Sequence, residues 1–271
     1  MNNQFEHSFL SQEERDISSK FLEKGYLIEP VADQSSLAWI RKTFFDIVTQ
    51  ELNVKDKLNE ENLFNLIHEK ISIDQLNDFR LLVIKNINNL PGFREHYYKI
   101  AKPYLDTILG NELAMQTKIN LSIQFPNDDS SLLATHADTW SGDSPFEVVV
   151  WIPLVDCYKT KSMYILPPKD NQKLNASFKS LAGKSTEDLF TSIQGNLDWI
   201  EINYGEVLLF NMALPHGNRV NQESETRWTM NCRFKGLFTP YSDKKLGSFF
   251  EPISLRAASI NGMLYQHPKI E

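Results

Sequence analysis

Cysteine is scarce: Cys157 and Cys232 are the only two in 271 residues. They form no metal-ligand spacing, which argues against a thiolate metal site, and a chain of this size needs no disulfide. The expected state is a pair of reduced thiols in a cytoplasmic protein. Basic charge is also short. The 28 Lys and Arg face 35 Asp and Glu, for a net charge of −7, which excludes the basic balance of a general nucleic-acid binder. No apolar run approaches the length needed to span a bilayer, so no membrane association is expected. The opening Met1-Asn2-Asn3-Gln4-Phe5-Glu6-His7 has no basic stretch followed by an apolar one, so no signal peptide is expected. Internal repeats and low-complexity segments are absent as well.

What the chain does have is apolar mass. At 41% hydrophobic residues it can bury a full core, as one large β domain with helical additions or as two smaller domains. Residues up to about 110 read as mainly helical. Ser11-Gln12-Glu13-Glu14 has capping-box form and opens a helix that runs to about Glu23 and ends at Gly25. Tyr26-Leu27-Ile28-Glu29-Pro30 reads as a short strand. After Asp33, the residues Leu37, Ile40, Phe44, Ile47 and Leu52 recur at helical spacing. Further helices are expected over 60–70, 73–88 and 92–109. Near residue 112 the pattern changes. Residues 115–125 alternate, and 146–154 form a near-continuous apolar strand of the kind buried on both faces. Short strands are expected over 162–166, 197–202, 205–210 and 226–238, with helix or loop over 172–195 and a last helix from about Ser254. Many short strands with turn signals suggest a sandwich or jelly roll.

The chemistry begins at Thr135-His136-Ala137-Asp138-Thr139-Trp140. In an extended chain His136 and Asp138 point to the same side, so one short segment can offer a nitrogen and an oxygen to a single metal ion. Chance alone predicts roughly 0.8 His-x-Asp/Glu triplets for this composition, so the triplet needs companions. His216 is the second imidazole of choice, at a turn after the apolar strand 205–210 and flanked by Pro215 and Gly217. Two histidines and one carboxylate leave positions open on non-haem Fe(II) for a cosubstrate and oxygen. His7, His68, His96 and His267 sit where a structural or solvent role is expected. Downstream, 227–234 alternates with period two: Arg227, Thr229, Asn231 and Arg233 share one face, and Trp228, Met230, Cys232 and Phe234 the other. If the polar face looks into a cavity, an arginine there can take a carboxylate bidentately, with Thr229 adding a hydroxyl donor.

His136-x-Asp138, then His216, then Arg227-x-Thr229 resembles the Fe(II)/2-oxoglutarate-dependent oxygenases, and the phytanoyl-CoA-dioxygenase-like branch in particular. Residues 21–27 (FLEKGYL) followed by helices are similar to how that branch begins. The stretches 136–154 and 205–234 resemble oxygenases of bacterial surface-carbohydrate gene clusters. The resemblance implies an α+β fold: a double-stranded β-helix, a distorted jelly roll, over 111–238. A helical part over 1–110 packs on it, and an extension over 239–271 carries a helix, all in one domain. It also implies that His136, Asp138 and His216 hold Fe(II), and that 2-oxoglutarate meets Arg227 and Thr229 before O2 binds. Arg233 is a second choice for the cosubstrate or a substrate contact, and Gln124 a possible cosubstrate contact from an early strand. Many relatives have serine where this chain has Thr229, and both supply a hydroxyl. Asp138 argues against a halogenase-type site, which lacks the carboxylate.

The substrate is less visible. Trp140, Ser141, Asp143 and Ser144 follow the metal motif and could line its mouth, a mixture that suits a sugar. Residues 157–186 hold six lysines (Lys159, Lys161, Lys169, Lys173, Lys179 and Lys184) against the single acid Asp170, a local balance that could receive the phosphate of a phosphorylated sugar. The expected function is hydroxylation of a small, carbohydrate-type molecule, with succinate and CO2 as coproducts. A cupin-like metal-dependent isomerase or epimerase would not require Arg227, and a silent ligand-binding relative would not require the full set.

Overall fold

The computed structural model describes residues 9–53 and 59–269; His7 and the opening segment read for a leader lie outside them. α1 (Gln12–Lys24) starts at Ser11, whose hydroxyl accepts from the Glu14 amide while the Glu14 carboxylate accepts from the Ser11 amide. The helix stops at Gly25, whose φ of 79° is a left-handed conformation that glycine adopts at little cost. A Cβ at Gly25 would also lie 2.1 Å from Leu214 Cδ1. β1 (Tyr26–Pro30) follows. Then come α2 (Gln34–Glu51), N-capped by Asp33, α3 (Glu60–Asn65), α4 (Ile73–Asn89) and α5 (Phe93–Leu109). On α2 the fully buried stripe is Leu37, Ile40, Phe44 and Val48. Ile47 and Leu52 are only partly buried, because the helical period carries the stripe to Val48.

The rest of the chain is largely antiparallel sheet. Its strands are β2 (Leu113–Gln116), β3 (Asn120–Gln124), β4 (Glu147–Pro153) and β5 (Tyr164–Ile165), then, after helices α6 (Pro168–Ala176) and α7 (Thr186–Ile193), β6 (Asp198–Trp199), β7 (Glu206–Asn211), β8 (His216–Gly217), β9 (Arg227–Gly236) and β10 (Phe250–Ser254). α8 (Ala257–Leu264) closes the described chain. One sheet has the order β1-β7-β4-β9-β2-β10, with β3 also paired to β9; a smaller one has the order β6-β5-β8. All seven residues of β4 are buried, as its unbroken apolar run requires, because β7 and β9 flank it.

Several elements differ from the sequence expectation. The alternating stretch 115–125 is two strands. Both pair with β9, Met115 opposite Phe234 and Asn120 opposite Asn231. At the break, the Asn88 side chain accepts from the Ile119 amide and donates to its carbonyl, at 2.8 and 2.9 Å, in place of ladder bonds. Of 197–202 only Asp198–Trp199 is strand. His216 lies in β8 rather than in a turn; the turn is earlier, where the Leu214 amide donates to the Asn211 carbonyl at 3.1 Å. β10, unforeseen, carries Pro252 and is tolerated because it is an edge strand.

β9 joins the layers. Trp228 packs edge-on against Phe44, Phe64 and Phe79 from three helices, with ring centroids 6.3, 5.2 and 6.1 Å away. Phe234 stacks on Tyr97 and Tyr98 of α5. These residues belong to one continuous core cluster that runs from Val31 to Phe234. Cys157 and Cys232 are buried and unpaired, and burial pushes each thiol up to about 12. No helix among the described residues is long and apolar enough to cross a membrane.

Gly25 couples α1 to the turn before His216, since its carbonyl also accepts from the Asn211 amide at 2.9 Å. Gly25→Ala must hold a left-handed backbone and displace Leu214, and is expected to destabilise the fold by about 1–3 kcal/mol. Urea unfolding checks this, and an unchanged midpoint would show that the turn relaxes freely.

Candidate metal centre

His136, Asp138 and His216 converge on a cavity of about 270 Å³, lined by residues of β3, β4, β7 and β9 on one side and by β8 on the other. One ligand atom from each of the three lies within 4.8 Å of the others. Ala137 is extended, at φ −118° and ψ 134°, which puts His136 and Asp138 on the same side. His216 arrives from 78 residues downstream of Asp138 and is locked to His136 by the backbone. The His136 amide donates to the His216 carbonyl at 3.0 Å, and the His216 amide returns the bond at 2.8 Å. Their rings are 4.4 Å apart. The Asp138 amide is fixed on the Met212 carbonyl at 3.0 Å.

Both imidazoles are oriented in the same way. Nδ1 of His136 lies 2.8 Å from the Ala134 carbonyl, and Nδ1 of His216 lies 2.8 Å from the Leu214 carbonyl. A carbonyl can only accept, so Nδ1 carries the proton in each ring and Nε2 is left to ligate. Burial opposes the charge of Asp138, but the His136 hydrogen bond and the electrostatic influence of His216, Arg233 and His136 hold its carboxyl down to about 2. Burial and the neighbouring His136 bring His216 down to about 4. Burial also works against protonation of His136, yet its bonds to Asp138 and Ala134 and the Asp138 charge raise it. A carboxylate beside two imidazoles anchored through Nδ1 is the donor set that a divalent metal requires, the metal taking the place of the proton that His136 Nε2 shares with Asp138.

Arg233 supports Asp138. Its Nη2 is 2.9 Å from Asp138 Oδ2 and its Nε 3.6 Å from Asp143 Oδ1, while Asp138 Oδ1 lies 3.3 Å from His136 Nε2. The carboxylate therefore presents one oxygen to the histidines and gives the other to Arg233. Arg233 also lines the cavity, and its Nε has no hydrogen-bond partner, but its pairing with Asp138 makes Arg227 the stronger candidate for the cosubstrate. Asp143 and Ser144 are also buried behind the site rather than at its mouth, whereas Trp140 is 43% exposed. Farther back, Glu147 and Lys235 face each other across β4 and β9. Glu147 accepts from the Ser144 amide, and Lys235 donates to the Pro240 carbonyl.

Arg227 and Thr229 stand at the other end of the cavity-facing side of β9. Arg227 is 4% exposed. It donates to the Ser162 carbonyl at 2.8 Å and to Ser122 Oγ at 3.0 Å. Both acceptors are neutral, and no carboxylate pairs with Arg227 among the described residues. Its Nε and the Thr229 hydroxyl are buried without a partner, and burial lowers the guanidinium to about 10. Gln124 is placed differently from expectation. It is not among the residues lining the cavity, and its amide donates to the Arg219 carbonyl at 2.7 Å, bracing the segment after β8. Ser122 and Asn120 line the cavity instead; the alternation that singles out Gln124 marks them equally. Nothing in the sequence singles out Ser162. His68 and His96 have structural partners, Thr226 for the first and Ser36 with the Trp39 ring for the second.

No protein-family model matches this sequence, and no curated protein is similar to it in sequence. Solved structures share its fold. A non-haem monooxygenase, ThoJ in complex with nickel, is 15% identical with a TM-score of 0.51, over 90% of this chain and 86% of that one. HygX from Streptomyces hygroscopicus, with nickel and 2-oxoglutarate bound, is 15% identical with a TM-score of 0.50, over 88% and 90%. EctD from S. alaskensis, with bound Fe, is 15% identical with a TM-score of 0.52, over 86% and 79%. At such identities the likeness is one of fold: helices packed on antiparallel sheets.

The buried acid behind the site has a pH signature. Burial first, then the Asp143 charge, pushes Glu147 up to about 7, against the Ser144 amide, Lys235 and Arg233. The folded state then holds a proton that the unfolded chain releases above about pH 4.5. Stability therefore falls as pH rises from about 4.5 to 7, by up to about 3 kcal/mol. Glu147→Gln is expected to remove that slope in urea unfolding across the same window. An identical slope in wild type and variant would rule out Glu147 as its source.

Proposed function

We propose that this chain is an Fe(II)- and 2-oxoglutarate-dependent dioxygenase that hydroxylates a small molecule. The carrying observation is that one cavity holds both the His136, Asp138 and His216 donor set and a buried Arg227 with only neutral contacts. A buried guanidinium is costly unless an anion joins it. The unpartnered Arg227 Nε and Thr229 hydroxyl are the donors such an anion would use. The distal carboxylate of 2-oxoglutarate fits that end, and its keto-acid end fits a metal with open positions. HygX, a structure of the same fold, binds nickel and 2-oxoglutarate, and EctD binds Fe; both support the reading.

Iron, 2-oxoglutarate and O2 together supply the oxidation, in which a substrate C–H becomes C–OH and 2-oxoglutarate leaves as succinate and CO2. The chain's own residues position these partners. His136, Asp138 and His216 hold the metal, with Nδ1 of each histidine anchored on backbone. Arg233 keeps Asp138 to one free oxygen. Arg227 and Thr229 orient the cosubstrate, and Val149, Trp151, Met163 and Phe210 supply apolar wall that limits water. On this reading the sheets form the double-stranded β-helix of the phytanoyl-CoA-dioxygenase-like branch, the chain is a single oxygenase domain, and the substrate is a carbohydrate or sugar-nucleotide type. A cupin-like isomerase has no use for a buried Arg227 aimed into the cavity.

Anaerobic addition of Fe(II) and 2-oxoglutarate is expected to give an optical charge-transfer band. His216→Ala and Asp138→Ala should abolish it. Arg227→Ala should weaken 2-oxoglutarate binding roughly 30-fold or more, the cost of truncating a buried charge pair, while metal binding persists. A wild-type protein without the band, or a band unmoved in Arg227→Ala, would overturn the assignment.

A further inference from the structure

A second groove, of about 690 Å³, opens beside the metal ligands, and His136 lines both it and the central cavity. Trp140 and Phe178 form one part of its wall, with rings 5.2 Å apart and side chains 43% and 42% exposed. Leu181 and Leu189 continue the apolar surface, and Lys179 and Lys184 line the same groove. Apolar rings left open to water in a concave site next to a reactive centre mark a ligand surface.

The six lysines of 157–186 do not act together. Lys161 is buried on Glu225 and Asn65, at 2.6 and 2.9 Å. Lys173 pairs with Asp170 at 2.6 Å. Lys159 and Lys169 lie outside the groove. Lys179 and Lys184 are in it, and neither has an ion-pair partner within 4.0 Å among the described residues. Of the neighbouring acids, Glu187 takes Arg219 through both oxygens, at 2.6 and 3.0 Å. Asp188 accepts from Ser185 through Oδ2 at 2.8 and 2.9 Å, and the Lys184 charge acts on it without forming an ion pair. An acidic chain thus leaves two ammonium groups without an ion pair at one apolar groove that reaches His136.

We infer that this groove binds the substrate, and that the substrate is a ring compound carrying a phosphate ester. The ring lies against Trp140 and Phe178, and the phosphate meets Lys179 and Lys184. A phosphate monoester carries about −1.5 to −2 at neutral pH, which two ammonium groups match and one carboxylate does not. That the bound molecule is the substrate rests on the reaction proposed above; His136, at the junction, brings the ring end to the metal.

The test is calorimetric titration of the Fe(II)-loaded, anaerobic protein with phenyl phosphate, benzyl alcohol and inorganic phosphate. Phenyl phosphate is expected to bind about tenfold or more tighter than either of the others. Lys179→Gln with Lys184→Gln should lose about tenfold for phenyl phosphate and leave benzyl alcohol unchanged. Trp140→Ala should weaken both ring ligands. The charge-matched pair Lys85→Gln with Lys169→Gln, outside the groove, should change nothing. Equal binding of phenyl phosphate and benzyl alcohol, or an equal loss in the charge-matched pair, overturns the inference. The 2-oxoglutarate band separates the two proposals. A band without phosphate discrimination removes the groove assignment alone, and discrimination without a band removes the reaction alone.

Discussion

A single narrow backbone pair holds the candidate centre together. His136 and His216 exchange both of their main-chain hydrogen bonds, which fixes their side chains on one face at close range. The remaining geometry follows from that pair. Asp138 enters two residues later through an extended Ala137, and β8 is pinned to β5 through Ile165 opposite His216. The turn ahead of His216 rests on Gly25, so the end of the first helix steadies a candidate metal ligand it never touches. Because backbone rather than side-chain packing sets the ligand spacing, the site is preorganised before any metal arrives.

β9 supplies the second constraint. Its apolar face is wedged among aromatic rings from four helices, which leaves it little freedom to slide, and a slip of one residue would exchange the two faces. Its polar face is therefore held against the cavity although burial there is costly. Thr229 and the Arg227 Nε carry that cost in the free protein. Desolvated donors that stay unpaired are worth most to a ligand able to pair with them, because no water has to be stripped from them at binding.

Charge is arranged in order along the same strand. Arg233 holds Asp138 and Asp143, and Lys235, two residues on, lies opposite Glu147. Arg233 thereby offsets the negative charge of Asp138 and Asp143 from one side. At the far end Arg227 has no such acid among the described residues, and this contrast between the two arginines supports the proposal that Arg227 meets an anionic ligand.

Much of this is legible in the sequence. The capping box at Ser11, the stop at Gly25 and the helices over 73–89 and 93–109 follow from local periodicity and caps. So does the division of β9 into two faces, because side-chain direction in a strand depends only on parity. Register and convergence are not local. Arg227 and Arg233 are equivalent by alternation, yet six residues of strand put them roughly 20 Å apart. Only the pairing of β9 with β3 over Arg227 to Asn231 and with β4 over Thr229 to Lys235 decides which meets Ser122 and which meets Asp138. Gln124, chosen by the same parity rule, ends on the Arg219 carbonyl because the segment after β8 runs beside the end of its strand, with Asn221 bridged to Pro126. The six lysines look like one patch in the sequence and are dispersed by the fold, one of them into the interior. Composition and periodicity determined which residues face inward. Which of them face one another was decided by tertiary structure, because contacts between distant segments depend on strand order and register, which no short stretch of sequence contains.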